Sequence, residues 1–162
     1  MKEETNYKEG KRSGERIRWW ENGQLKEEAL YVDGKVNGVF KEYHDKGNLR
    51  FRGVYINKKP IGVQKSWWGN GNISMERHFF EEYNDLYKEL DLTMSYVFHG
   101  LFKRWYENGR VRSEVNYIKG EKDGMSSYFY ESGLLESKET YKNGVLISQQ
   151  CLDEEGFEID CK

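Results

Sequence analysis

Three histidines, His44, His78 and His99, and two cysteines, Cys151 and Cys161, are the side chains best suited to metal or nucleophilic chemistry. Their spacing supports neither. His78 and His99 could meet at the base of the segment between them, but two imidazoles do not complete a zinc site. The chain has no C-x-x-C pair and no H-E-x-x-H helix signature. "GNGN", Gly69 to Asn72, belongs to a hairpin turn and opens no helix that could cradle phosphate, and "GKVNG" lacks the Walker spacing. The many Glu residues are scattered and form no recurring pair for general acid/base work. Asn72-Ile73-Ser74 is a glycosylation sequon of the kind that chance produces. The expectation is a chain that is not an enzyme and holds neither metal nor cofactor.

The residues that do recur are aromatic. Trp19-Trp20 in "RWWENGQL", Trp67-Trp68 in "KSWWGNGNI" and Trp105-Tyr106 in "KRWYENGRV" each stand just before a glycine-containing turn. Adjacent residues of a strand point to opposite faces, so a half-buried sheet needs only one of each pair for its core.

The elements that hold these pairs are read from a repeat. Tyr7, Tyr31, Tyr55 and Phe79 are 24 residues apart, as are Tyr117 and Tyr141. Gly14, Gly38 and Gly62 keep the same step, as do Gly23, Gly47 and Gly71; Gly100–Gly124 and Gly109–Gly133 resume it after an interruption. Each unit reads as two short strands joined by Gly turns, and a lone hairpin is barely stable, so the units must stack. The fold class is all-β: an elongated, twisted antiparallel β-meander of 24-residue hairpin repeats, covering residues 1–144.

Only the last residue of Glu21-Asn22-Gly23, Asp45-Lys46-Gly47, Gly69-Asn70-Gly71, Glu107-Asn108-Gly109 and Glu131-Ser132-Gly133 is always Gly. A three-residue loop, a type I turn closed by a left-handed Gly, fits all five. That register sets Trp19 against Leu25, Tyr43 against Leu49, Trp67 against Ile73, Trp105 against Val111 and Phe129 against Leu135, a core ladder. Trp20, His44, Trp68, Tyr106 and Tyr130 then form a second ladder on the other side. Exposed aromatics in a row mark an interaction surface, and Trp20, Trp68, Tyr106 and Tyr130 are the expected anchors. The alternatives are that they cross-brace the sheet, or that a one-residue slip exchanges the faces.

Two segments depart from the repeat. Fourteen extra residues follow Phe79, and this insertion, at about 80–96, carries Glu81, Glu82, Asp85, Glu89 and Asp91 against a single Lys88. It reads as a long hairpin or lid, and its acids are the expected charge partners of a bound protein. Residues 145–162 read as a capping hairpin in which Cys151 and Cys161 bracket Glu154-Glu155-Gly156. They are a disulfide, two reduced thiols, or part of a metal site.

Of the 162 residues, 33% are charged and 15% aromatic, with a net charge of -2. Such aromatic content opposes disorder. The near-neutral balance gives no global field for nucleic acid or anionic membrane, although Arg16, Arg18, Lys65, Lys103 and Arg104 do mix with the aromatics. No apolar run is long enough to cross a bilayer as a helix, and "MKEETNYKEG" lacks a signal-peptide core. The expected location is cytoplasmic, or extracytoplasmic if a signal was removed and Cys151–Cys161 are bonded.

"YVDGKVNGVFKEYHDKGNLRFRGVY" and "YIKGEKDGMSSYFYESGLLESKETYKNG" resemble the variant MORN repeat, and more closely the bacterial YwqK-family antitoxin proteins. The shared pattern is Y-x-x-G-[KE]-x-x-G, an aromatic near the strand end, then x-x-G-x-[LIV]. It covers Tyr7 to about Gly144 without the insertion. Lys58 stands where the short turn has Gly, with Pro60 beside it, so that turn is expected to differ. The resemblance implies a non-catalytic protein that binds a partner protein, a toxin in the antitoxin case. The second reading is a MORN-like scaffold or membrane-associated protein that assembles with itself or lies on lipid.

Overall fold

The computed structural model describes residues 2–79 and 99–161. They form an all-β chain of thirteen strands. The chain divides into two compact units, Met1–Asn72 and Ile73–Lys162. The first holds β1 (Glu3–Lys8), β2 (Lys11–Trp19), β3 (Leu25–Val32), β4 (Lys35–Tyr43), β5 (Leu49–Ile56) and β6 (Lys59–Trp67). The second holds β7 (Ile73–Phe79), β8 (Gly100–Trp105), β9 (Val111–Ile118), β10 (Glu121–Phe129), β11 (Leu135–Lys142), β12 (Val145–Leu152) and β13 (Glu158–Ile159). Within each unit, strands adjacent in sequence pair antiparallel, which is the meander of hairpin repeats read from the 24-residue period.

Two kinds of turn alternate. At the longer one, Gly23 N bonds Trp20 O (3.0 Å) and Trp20 N bonds Gln24 O (2.8 Å), with Gly23 at φ +85°. Gly47, Gly71, Gly109, Gly133 and Gly156 repeat that geometry at φ between +86° and +91°. This is the three-residue loop expected from the invariant third Gly. The shorter turn places two left-handed residues in succession, as in Asp33 (φ +49°) and Gly34 (φ +76°). That is a type I′ hairpin turn.

The expected departure at Lys58 does not occur. Asn57 and Lys58 take φ +51° and +70°, and Lys58 N bonds Val36 O at 2.9 Å, as Gly34 N bonds Arg12 O at 2.8 Å. The pairing of β5 with β6 forces the same turn on a residue with a Cβ, at a cost of order 1 kcal/mol.

The register matches the expectation within each unit: Trp19 faces Leu25, Tyr43 faces Leu49, Trp105 faces Val111 and Phe129 faces Leu135. A register shift lies just inside each of these pairs, so the strand bulges beside these four long loops. The location of the core is a correction. These aromatic–aliphatic pairs are only half-buried. The least exposed residues, Gln64, Ser126, Val115, Ala29 and Ser113, lie on the other face. Alternation explains this: Tyr43 shares its side with Lys41 and Glu28, whereas Phe40 pairs with Ala29 and Gly53.

In the first unit the packed face carries Phe40, edge-on to Phe51 (5.9 Å) and Tyr55 (6.0 Å). Gly53 sits beneath them; a Cβ there would come within 3.0 Å of Gln64 and 3.1 Å of Phe51. In the second unit the same face is built from Val115, Ser113, Ser126 and Ser137, with Phe102 edge-on to Tyr117 at 6.3 Å.

Candidate protein-interaction surface

The second ladder stands at the entry to each long loop, where the type I turn fixes the backbone and aims the side chain along the row of loops. Its polar tips reach the backbone about one repeat further on. In the first unit Trp20 Nε1 donates to Tyr43 O (3.1 Å) and His44 Nε2 donates to Trp67 O (3.0 Å). In the second unit Tyr106 Oη donates to Phe129 O (2.7 Å) and Tyr130 Oη to Leu152 O (2.8 Å). Each bond gives a partner to the carbonyl just before the next long loop.

The sequence reading missed a second set of ties. Asn22 Nδ2 donates to Asp45 O (2.7 Å), Asn48 Nδ2 to Gly69 O (3.0 Å) and Asn108 Nδ2 to Glu131 O (3.0 Å). Arg110 Nη1 joins the last of these at 3.2 Å and also meets Ser132 O. Asn22, Asn70 and Asn108 also accept from the backbone two residues on, at 3.0, 2.9 and 2.9 Å, which stiffens the loop. For Asn22 and Asn108 the recurrence of Asn before the loop glycine was the available signal; Asn48 instead follows its glycine.

The tips of Trp20, Tyr106 and Tyr130 are engaged in this way, and cations lie over two of these rings. Lys26 Nζ lies 4.0 Å above the Trp20 ring, and Arg112 lies 5.6 Å from that of Tyr106. Trp68 is 38% exposed; Trp20, Tyr106 and Tyr130 are half-buried. Tyr130 has acidic surroundings instead: burial first, then the charges of Glu136, Glu154, Asp153 and Glu155, push its phenol upward. The expected anchors thus fall in one row in each unit, Trp20 and Trp68 in the first, Tyr106 and Tyr130 in the second. Glu81, Glu82, Asp85, Glu89 and Asp91 lie outside the described residues.

The cations that accompany the aromatics are committed internally. Arg16 pairs with Glu3 (3.1 Å) and Glu27 (2.8 Å), and Arg18 Nη1 with Glu27 at 3.3 Å. Lys103 pairs with Glu114 at 2.5 Å. The hydrogen bond from Arg16, then that from Thr5, holds the Glu3 carboxyl down at about 2. Lys122 donates to Tyr128 Oη (2.8 Å) and Tyr141 Oη (3.1 Å). Burial alone would lower its pKa, but those hydroxyls and Glu139 carry it upward, so it is a fixed cation and a poor amine nucleophile.

His78 Nε2 meets Glu76 at 2.9 Å. Among the described residues no three His, Cys, Asp or Glu side chains gather as metal ligands, and no helix is long and apolar enough to cross a membrane. Cys151 and Cys161 form a disulfide, with Cα atoms 5.4 Å apart.

The hairpins β2–β3, β4–β5, β8–β9 and β10–β11 coincide with four matches to the MORN repeat variant, at residues 12–33, 36–57, 98–119 and 122–143. These cover more than half of the chain, and the chain belongs to that family. No curated protein matches the sequence. Repeats of this class suggest a protein-binding or scaffolding role.

Proposed function

We propose that the chain is a non-catalytic protein-binding array, an antitoxin- or immunity-type protein that neutralises a partner protein toxin by covering it. One observation carries the reading. Trp20, Tyr106 and Tyr130 are fixed by their polar tips while their side chains stay partly exposed. Aromatic contacts held in place before binding lose little freedom on association, which is what interface anchors need. Bracing and binding are then two uses of one side chain.

Trp20, Trp68, Tyr106 and Tyr130 are the proposed anchors, and Glu81, Glu82, Asp85, Glu89 and Asp91 the proposed charge partners of a basic toxin. The internal pairing of Arg16, Arg18 and Lys103 disfavours a nucleic-acid platform. The disulfide fits an oxidising compartment, the extracytoplasmic branch of the expectation.

Affinity capture from the source organism, followed by mass spectrometry, tests the proposal. A single stoichiometric protein is expected, with affinity falling at least tenfold in the double substitution Trp68→Ala, Lys26→Glu while circular dichroism is unchanged. Recovery of the chain alone, or of lipid in a flotation assay, would replace this reading with the scaffold one.

A further inference from the structure

β12 leaves an open strand edge. On one side it pairs with β11 from Val145 (opposite Lys142) to Cys151 (opposite Ser137). On the other side β13 covers only Cys151 and Leu152, through Ile159 and Glu158. The disulfide ties Cys161 back to Cys151, so the ladder does not run on past Ile159. Among the described residues, no strand pairs with the outer edge of Val145–Gln150.

That edge lacks the usual protection. Proteins guard open edges with charge, proline or cover, because unpaired backbone groups template another strand. β1, at the other terminus, carries Glu3, Glu4 and Lys8. The stretch Val145-Leu146-Ile147-Ser148-Gln149-Gln150 carries no charge, and Val145, Leu146 and Ile147 are 63%, 45% and 63% exposed. Beside its far end stands the disulfide-closed hairpin, with Asp153, Glu154, Glu155, Glu158 and Asp160 among its residues. The same hairpin exposes Phe157 (70%) and Ile159 (46%).

We propose that the β12 edge receives an extended basic segment of a partner protein as an added antiparallel strand. Main-chain bonds to Val145–Gln150 supply the affinity, as in other strand-addition complexes. Charge selects the occupant. An antiparallel strand on β12 brings its N-terminal end beside the acidic hairpin, which favours lysine or arginine there. The β1 strand of a second copy would instead bring Glu3 and Glu4 to those acids. The inference rests on the protein-binding reading above and names one place where such a partner engages.

The test is hydrogen exchange on the full chain with a synthetic eight-residue peptide alternating lysine and valine, against its glutamate–valine counterpart. The basic peptide is expected to slow exchange of the Val145–Gln150 amides at least tenfold. The acidic peptide should leave them unchanged, and Ile147→Lys, at an exposed position, should abolish the protection. No protection, or equal protection by both peptides, overturns the proposal. So does protection that rises with protein concentration without peptide, which would make a second copy the occupant. If a captured partner protects the aromatic loops but leaves β12 exchanging freely, edge docking is overturned and the protein-binding reading stands. If the basic peptide protects β12 while no partner protein is captured, edge docking is supported and the wider reading fails.

Discussion

The packed faces of the two units are built on one repeat but from different materials. Between the repeat matches at residues 36–57 and 122–143, Phe40 corresponds to Ser126 and Phe51 to Ser137, while the repeat at 98–119 keeps Phe102 at the position of Phe40. The first unit clusters three rings over Gly53. The second buries hydroxyls and spans Tyr128, Glu139 and Tyr141 with Lys122. The loop ends show no such divergence: a polar tip reaches a backbone carbonyl at Trp20, His44, Tyr106 and Tyr130, whatever the ring. The backbone of this fold is therefore held by its turns and loop ties, and the face between them is free to vary.

The sharpest way to break that comparison is at its most divergent position. Phe40→Ala should cost about 3 kcal/mol, since it empties the ring cluster. Ser126→Ala should instead stabilise by up to about 1 kcal/mol, because the buried Ser126 hydroxyl has no hydrogen-bond partner among the described residues. Urea unfolding of both variants checks the pair, and equal losses would refute the contrast.

The turns should respond in a more uniform way. Lys58→Gly relieves the one short turn among the described residues whose second left-handed residue is not Gly, and should raise stability by about 1 kcal/mol in the same assay. Gly34→Lys, which installs the same strain one repeat earlier, should lower it by a similar amount.

Much of this was legible. The 24-residue step gave the hairpins, and the invariant third loop glycine gave the loop type and through it the register of Trp19, Tyr43, Trp105 and Phe129. The location of the core was not legible from aromatic size. Trp19 and Tyr43 outweigh Ala29 and Gly53 in any hydrophobic count, yet burial depends on how closely neighbouring strands carry side chains that can interlock. Gly53 admits Gln64 and Phe51; Tyr43 shares its face with the charged pair Lys41 and Glu28. At the candidate surface, position was legible in the recurrence of Trp20, Trp68, Tyr106 and Tyr130. The tie of Trp20, Tyr106 and Tyr130 to the next loop was not, because a hydrogen bond to a main-chain carbonyl leaves no partner residue type to find.

The smallest expected effect is local and electrostatic. The folded Glu3 carboxyl is held at about 2 against an ordinary 4.5, so the folded state binds fewer protons than the unfolded chain between those values. The stability it lends is full above about 4.5 and is lost as pH falls toward about 2. The amides of β1 should therefore exchange faster, relative to β11, as pH drops through that window. Glu3→Gln should remove the pH dependence.

The central claim is that Trp20, His44, Tyr106 and Tyr130 each tie their loop to the next. Hydrogen exchange of Tyr106→Phe tests it most directly, because the ring remains and only the bond to Phe129 O is lost. A bond worth about 1 kcal/mol predicts roughly fivefold faster exchange across residues 129–135, with the β8–β9 pairing unchanged. Unaltered exchange at 129–135 would show that the hydroxyl ties nothing, and would contradict the account.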